Sequence, residues 1–358
     1  MGSYAYDAQF LKDNGVEYIE LVSSDGNSKV MIVPAWQGRV MTTSASGDDG
    51  DSYGWINYRF IQEGKVSPQF NPVGGEERFW LGPEGGPFSL YFKQGQEQVY
   101  ENWIVPSVID TEAFVIESQD SSNVRFVKDA RLTNASGTVF DMNIERQVSL
   151  MGIEEVVTDF GLELPQNVKM VAYRSDNKIT NTGNTSWTKK SGLISIWMLG
   201  CFNPSPTTTV FIPYKRNLEG AIVNDEYFGK IPEDRLIKED GIIYFKIDGK
   251  YRSKLGLPAL RATNLCGSYD SSKGVLTILW CSLPEVPSVY VNGQWGEQEE
   301  PYAGDVINSY NDGPVEDGSI MGPFYEIETS SPGEELAPGA SLVHIQKVIH
   351  IQGKDKQL

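Results

Sequence analysis

Short segments in which apolar and polar residues alternate recur along most of this chain. Two of them, 18–22 and 29–33, are separated by Ser24-Asp25-Gly26-Asn27, which is a typical hairpin turn. The chain contains 36 glycines and 19 prolines, enough for many turns. Short strands with turns between them predict an all-β sandwich or barrel. Further strands are predicted at 112–118, 123–128, 138–150, 153–162, 168–174, 193–199, 208–212, 242–247, 274–283, 288–295, 322–329 and 341–351.

Only one early segment has the pattern of a helix. It covers residues 6–13 and ends at Asn14-Gly15, so residues 1–16 are predicted to be a short helical extension. The sequence contains no internal repeat, no linker-like stretch and no glycine-rich nucleotide fingerprint. The prediction is therefore a single domain over residues 1–358.

The formal net charge of −18 argues against a nucleic-acid partner, because phosphate binding needs clustered lysines and arginines. An acidic surface suits a neutral ligand such as a sugar or an oligosaccharide. No apolar stretch is long enough to cross a membrane, and no cofactor or metal is predicted. The three cysteines are interpreted as buried free thiols. The location is left open: periplasmic or secreted if a leader was removed, otherwise cytoplasmic.

The last predicted strand contains both histidines of the protein. His344, Gln346 and His350 share one face, and the opposite face, with Val343 and Ile349, is predicted to be the core face. The two histidines are about 20 Å apart at the rise of a strand, so they are not expected to form one metal site or one catalytic pair.

Three segments concentrate polar, aromatic and glycine residues. In 71–87, Arg78 and Trp80 are two residues apart and are expected to share a face; the alternative is a surface loop with an internal ion pair. Segment 304–317 is a turn with several acidic residues, whose spacing matches no established calcium loop. In 322–332, Glu326 and Glu328 point to the same side of a predicted strand, either into a concave face as candidate bases or into solvent.

The segment Phe324–Pro332, followed by Leu336-Ala337-Pro338-Gly339, resembles the end of an aldose 1-epimerase. Pro34–Thr42 resembles the opening strand of that family, and Asn181-Thr182-Gly183 resembles its mid-chain turn. Residues 74–86 are similar to a segment of bacterial mutarotase-like proteins of unassigned activity. The resemblance implies a galactose mutarotase-like β-supersandwich with a concave groove that holds a sugar.

The resemblance implies that Glu328 is the base that takes the proton of the anomeric hydroxyl. The two histidines of the family would fall within 88–91 and 194–198, where this chain has none. Tyr91, Tyr173 or a protonated carboxyl are candidate replacements for the missing acid. The residues predicted to bind the sugar are Arg78, Trp80, Glu84, Trp103, Arg174, Trp197, Asn308 and Asp312.

Four hypotheses follow. The first is an isomerase of the aldose 1-epimerase type, with Glu328 as base. The second is a sugar-binding protein without catalysis, in which tryptophans such as Trp295 stack on sugar rings. The third is a structural domain with tryptophans in its core. The fourth is a glycoside hydrolase, which needs two carboxyls about 5–9.5 Å apart, such as Glu328 with Glu84 or Asp312.

Overall fold

The computed structural model describes residues 2–165 and 168–354, and it confirms the all-β prediction. Three helices are present in these residues: α1 (Tyr4–Asp13), α2 (Tyr58–Glu63) and α3 (Ile153–Phe160). The strands, in chain order, are β1 (Ile19–Val22), β2 (Lys29–Val33), β3 (Arg39–Ser44), β4 (Arg78–Gly82), β5 (Val115–Gln119), β6 (Asn123–Thr133), β7 (Val139–Leu150), β8 (Lys169–Asn181), β9 (Ser195–Phe202), β10 (Thr208–Pro213), β11 (Leu236–Glu239), β12 (Ile242–Lys246), β13 (Ser253–Pro258), β14 (Leu265–Asp270), β15 (Val275–Cys281), β16 (Asp305–Asn311), β17 (Tyr325–Ser330) and β18 (Ser341–Gln352).

The strands form three antiparallel sheets. The largest has ten strands in the order β11-β12-β10-β14-β15-β18-β8-β7-β6-β5. A second sheet has five strands in the order β13-β16-β17-β9-β4, and a third contains β1, β2 and β3. The five-stranded sheet packs one face on the ten-stranded sheet, with Phe79, Met198 and Ile327 inside one large apolar core. Its other face carries the candidate site.

The helix predicted at residues 6–13 is present as α1. Ser3 caps its N-terminus by accepting a hydrogen bond from the Tyr6 amide, and Asn14 ends it. Gly15 follows with a φ of 72°, a conformation that glycine adopts without strain. The apolar side of α1 packs Tyr4 and Leu11 on the three-stranded sheet.

Two predicted strands are wrong. Residues 153–160 form α3, because two glutamates occupy its first turn and Gly161 ends it in the left-handed conformation. Residues 288–295 form no strand and contribute one isolated bridge at Tyr290. Strands β4, β11, β13, β14 and β16 were not predicted, and β4, β13 and β16 build much of the five-stranded sheet.

The prediction for β18 holds only in part: Ile349 is buried in a small apolar cluster with Val156 of α3, as expected for a core face, but the rest of the assignment is wrong. Val343 is 48% exposed, whereas His344, Gln346 and His350 are buried between the two sheets. These side chains meet other buried polar groups there: Gln346 donates to Glu77 at 2.7 Å, and Glu77 pairs with Arg146 at 2.6 Å. Both faces of β18 are therefore buried over part of the strand, and the polar face, which hydrophobicity alone would leave in solvent, lies inside because it finds hydrogen-bond partners there.

The two histidines have separate partners, as expected. His344 Nε2 lies 2.8 Å from the Thr329 hydroxyl, and His350 Nε2 lies 2.8 Å from Glu76. No group of metal-ligating side chains occurs in the part of the chain that the structure describes. The three cysteines are buried free thiols. No helix in the described ranges is long and apolar enough to cross a membrane.

Candidate functional site

The outer face of the five-stranded sheet carries an acid cluster, by which we mean Glu84, Asp305, Glu326 and Glu328. Glu328 lies on β17, directly opposite Asn308 on β16 and Leu199 on β9. Leu199 in turn lies opposite Arg78 on β4. Residues that are directly opposite in antiparallel strands point to the same face, so the register alone brings Asn308, Glu328 and Arg78 together.

Glu328 is fully buried and has two partners. The Lys254 ammonium on β13 lies 2.9 Å from its Oε1 and 3.0 Å from its Oε2. The Trp197 indole N–H donates to Oε2 at 3.0 Å. A buried carboxylate needs such compensation, because the loss of water costs several kcal/mol. Lys254 was not among the predicted site residues.

Glu326 forms the second ion pair of the cluster. Arg78 Nη2 lies 3.1 Å from its Oε1, which also accepts the Cys201 thiol at 3.2 Å. The Arg78 guanidinium stacks on the Trp80 ring, 4.1 Å from its centroid. Arg78 and Trp80 therefore share a face as predicted, on a buried strand and not on a surface loop. The side chain of Glu326 is 12% exposed, so the two glutamates do not simply face solvent.

Glu84 follows β4 and lies in the loop that covers this face. Burial raises its pKa to about 7; the nearby Lys254 lowers that pKa, Glu328 raises it, and the indoles of Trp295 and Trp103 lower it. For Lys254, burial alone would lower the pKa, but Glu328, Glu84 and Glu326 together raise it. Glu84 is therefore a carboxyl that holds a proton near neutral pH beside a lysine that stays charged.

Asp305, at the start of β16, completes the cluster. The Tyr227 hydroxyl donates to it at 2.6 Å, and burial raises its pKa to about 6. Gly256 is required beside it, because a Cβ at this position would lie 1.9 Å from the Asp305 carboxylate. The amide of Asn308 reaches the Tyr227 hydroxyl at 3.3 Å. This edge of the site is thus held by a chain of hydrogen bonds.

Aromatic rings surround the acid cluster. Trp80 lies 5.6 Å from Trp197 and 6.5 Å from Trp103, and Trp103 stacks with Tyr91 at 6.1 Å between centroids. Within residues 2–165 and 168–354, Arg78 Nε and Trp80 Nε1 are buried donors with no hydrogen-bond partner. Such donors fit acceptor groups of a bound ligand.

The structure brings together most of the predicted site residues. Glu328, Arg78, Trp80, Trp197 and Asn308 share the outer face of the sheet, and Glu84 and Trp103 reach it from loops.

Two predicted residues lie elsewhere. Arg174 is on β8, in a groove of about 630 Å³ on the ten-stranded sheet, and it pairs with Asp176 at 2.6 Å. Asp312 follows β16 and bonds with Tyr310 at 2.8 Å and the Gly322 amide at 3.0 Å. None of these interactions involves Glu328.

The two tyrosines considered as acids are both buried. The Tyr91 hydroxyl donates to the Leu81 carbonyl at 2.9 Å, and burial raises its pKa well above 10. Tyr173 lies between the two large sheets, where burial and the charges of Glu76 and Glu77 raise its pKa in the same direction. Both are therefore weaker acids than a tyrosine in water.

Comparison with known proteins agrees with this architecture. A family model, described as a family of unknown function (DUF6786), matches residues 2–358. The chain belongs to that family. Among curated protein sequences, none matches this DUF6786 chain.

Solved structures confirm the galactose mutarotase-like fold. Slr1438 from Synechocystis sp. PCC 6803 matches with a TM-score of 0.57 and 12% identity over 94% of this DUF6786 chain and 96% of its own. An Escherichia coli K12 protein provisionally named an aldose 1-epimerase matches with a TM-score of 0.53 and 13% identity, over 94% and 99%. A galactose mutarotase-like protein from Lactobacillus casei gives 0.51 and 12%, over 94% and 99%. At this identity the likeness establishes the fold and not the activity.

Proposed function

We propose that this protein binds an aldose on the outer face of the five-stranded sheet and interconverts its anomers. The observation that carries the proposal is the pairing of two different carboxyls: Glu328, ion-paired with Lys254, and Glu84, with a pKa of about 7. One carboxylate held in an ion pair and a second carboxyl that keeps its proton are a usual arrangement for acid–base catalysis.

In the proposed reaction, Glu328 accepts the proton of the anomeric hydroxyl while the bond between C1 and the ring oxygen breaks. Glu84 gives its proton to that ring oxygen, which produces the open-chain aldehyde. Rotation about the C1–C2 bond exposes the other face of the carbonyl. Ring closure then runs both proton transfers backwards, so Glu84 is protonated again and Glu328 is again a carboxylate. No other reactant is consumed.

Glu84 replaces the acid that the missing histidines would supply. A positioned general acid contributes typically about 10²–10⁴ in rate, provided that its pKa is close to the working pH. With a pKa of about 7, Glu84 is protonated in about half of the molecules at neutral pH. Lys254 compensates the negative charge of Glu328, and Trp197 fixes the orientation of the carboxylate by its hydrogen bond at 3.0 Å.

Sugar recognition follows from the groups around the carboxyls. Trp197 is half-buried and Trp295 is exposed, so their rings can stack on a sugar, whereas Trp80 and Trp103 are buried in the apolar core. The buried donors of Arg78 and Trp80 that have no partner suit hydroxyl oxygens. Lys254, Trp197 and three members of the acid cluster, Glu84, Asp305 and Glu326, are partly exposed, so a ligand contacts them first. The names of the E. coli and L. casei proteins of the same fold support a sugar as the ligand.

One observation favours a second function, sugar binding without catalysis. Glu328 has no exposed surface, and the Lys254 ammonium lies within 3.0 Å of both of its oxygens, although no group in the described ranges forms a hydrogen bond with Oε1. To act as a base it must exchange one of these contacts for the substrate hydroxyl. If the ion pair is too stable for that exchange, the site binds a sugar and leaves it unchanged.

Polarimetry separates the two functions. Freshly dissolved α-galactose and α-glucose are followed with the native protein and with Glu328→Gln. The proposal predicts an acceleration of mutarotation by the native protein that falls at least about 100-fold in the variant. Glu233→Gln, an exposed carboxyl outside the site, is the matched control and should retain the full rate. Sugar binding without any acceleration would favour the second function.

A further inference from the structure

Two exposed aromatic side chains extend the set of rings around the acid cluster to the protein surface. Tyr100 is 59% exposed and Trp295 is 37% exposed. Each ring lies 6.1 Å from Trp103 between centroids, with interplanar angles of 20° and 28°. Trp103 itself is buried and contributes to the surroundings of Glu84. A nearly parallel set of rings therefore leads from the proposed acid to solvent.

The two loops that carry these rings are tied to each other. Gln98 Oε1 accepts from the amides of both Gly86 and Gly296 at 2.8 Å, and Gln98 Nε2 donates to the Gly86 carbonyl at 2.7 Å. The loop of Tyr100 is anchored further by a hydrogen bond from Gln69 to the Tyr100 carbonyl. The aromatic pair is thus preorganised, which lowers the entropy lost when a ligand stacks on it.

Charge restricts which ligand fits this surface. Exposed glutamates flank both aromatic residues: Glu97, Glu101, Glu297, Glu299 and Glu300. Further inside, the four carboxyls of the acid cluster face the two cations Arg78 and Lys254. A phosphorylated sugar or a uronic-acid chain would be repelled along this path, whereas a neutral sugar presents ring faces that stack on tyrosine and tryptophan.

We propose that Tyr100 and Trp295 form an outer subsite for the second residue of a neutral oligosaccharide whose reducing end occupies the acid cluster. The direction of the chain rests on the proposed function, since that function places the anomeric carbon between Glu328 and Glu84. The ligand class is therefore a neutral disaccharide or longer chain with a free reducing end, and not a monosaccharide alone.

Equilibrium binding tests the proposal without any turnover. Isothermal titration with galactose, glucose, lactose, maltose and cellobiose gives a ratio of disaccharide to monosaccharide affinity. The expected result is tighter binding of at least one disaccharide, with the ratio falling about two- to tenfold in Tyr100→Ala and in Trp295→Ala, as expected for one stacked ring. Tyr244→Ala removes a similarly exposed ring on β12 of the large sheet and should leave the ratio unchanged.

Three results would overturn the subsite. They are disaccharides that bind no more tightly than monosaccharides, an affinity ratio that both substitutions leave unchanged, and digalacturonate that binds as tightly as the neutral disaccharides. Failure of the proposed reaction gives a different signature. If disaccharide binding depends on Tyr100 and Trp295 but no sugar mutarotates faster, the outer subsite stands and the anomeric chemistry is refuted.

Discussion

Replacement of Glu84 by glutamine should make the protein more stable at alkaline pH and leave its stability at acidic pH nearly unchanged. The pKa of this carboxyl is raised from 4.5 to about 7 by burial, so the folded state binds the proton more tightly than the unfolded chain. Its contribution to stability is complete below pH 4.5 and is lost as the pH rises through 7. Glutamine has no such proton to lose.

The magnitude follows from the two pKa values. A pKa shift from 4.5 to about 7 lowers the free energy of unfolding by about 2.5 kcal/mol between pH 5 and pH 8. We take about 2 kcal/mol because Glu84 is partly exposed to solvent. Guanidinium unfolding at both pH values measures the difference in free energy of unfolding between Glu84→Gln and the native protein. That difference should grow by about 2 kcal/mol in favour of the variant at pH 8.

The matched control is again Glu233→Gln, whose carboxyl is exposed and lies outside the acid cluster. Its difference from the native protein should be the same at both pH values. If the Glu84→Gln difference is equally flat, Glu84 does not hold a proton near neutral pH. The reasoning that assigns it the role of general acid would then be refuted.

Three further predictions concern buried ionisable groups. Lys254→Met should destabilise the fold by about 3 kcal/mol because Glu328 is left unpaired, and Lys254→Met combined with Glu328→Gln should recover most of that loss in chemical unfolding. His344→Gln should remove about 2 kcal/mol of the stability that the native protein loses between pH 7 and pH 5, because burial lowers the His344 pKa from 6.5 to about 3 and only the unfolded chain takes up the proton in that range. Equal losses of stability in the variant and in the native protein would contradict this. Arg146→Leu should cost about 3–5 kcal/mol by thermal or chemical unfolding because Glu77 loses a fully buried partner, and a loss below 1 kcal/mol would show that the pair is dispensable.

The sequence predicts the face of β17 correctly because that strand alternates cleanly. Tyr325 and Ile327 are apolar, so Glu326 and Glu328 necessarily share the opposite side. The same rule could have found Lys254. In β13, Leu255 and Leu257 form the core side, which leaves Lys254 on the face of the glutamates. Its proximity to Glu328, however, depends on which strands are neighbours in the sheet. These strands are far apart in the sequence, and the alternation of apolar and polar residues does not reveal their order.

The sequence does not show which face of a strand is buried where the interior of the protein is polar. In β18 the histidine face looks like a solvent face, yet it is buried because Glu76, Glu77 and Arg146 provide partners from other elements. In β8 both faces carry polar residues, so the sequence could not show that Arg174 lies on the outer side of the ten-stranded sheet, on the far side of the core from Glu328. Hydrogen-bond partners decide these cases, and they come from distant parts of the chain.

The most direct test of the central claim is the pH dependence of α-galactose mutarotation with the native protein and with Glu84→Gln. If Glu328 is the base and Glu84 the acid, acceleration by the native protein falls as the pH rises through about 7, while Glu84→Gln is slower by about 10²–10⁴ and lacks that dependence. An acceleration that is unaffected by Glu84→Gln, or no acceleration by the native protein between pH 5 and pH 8, would contradict the account.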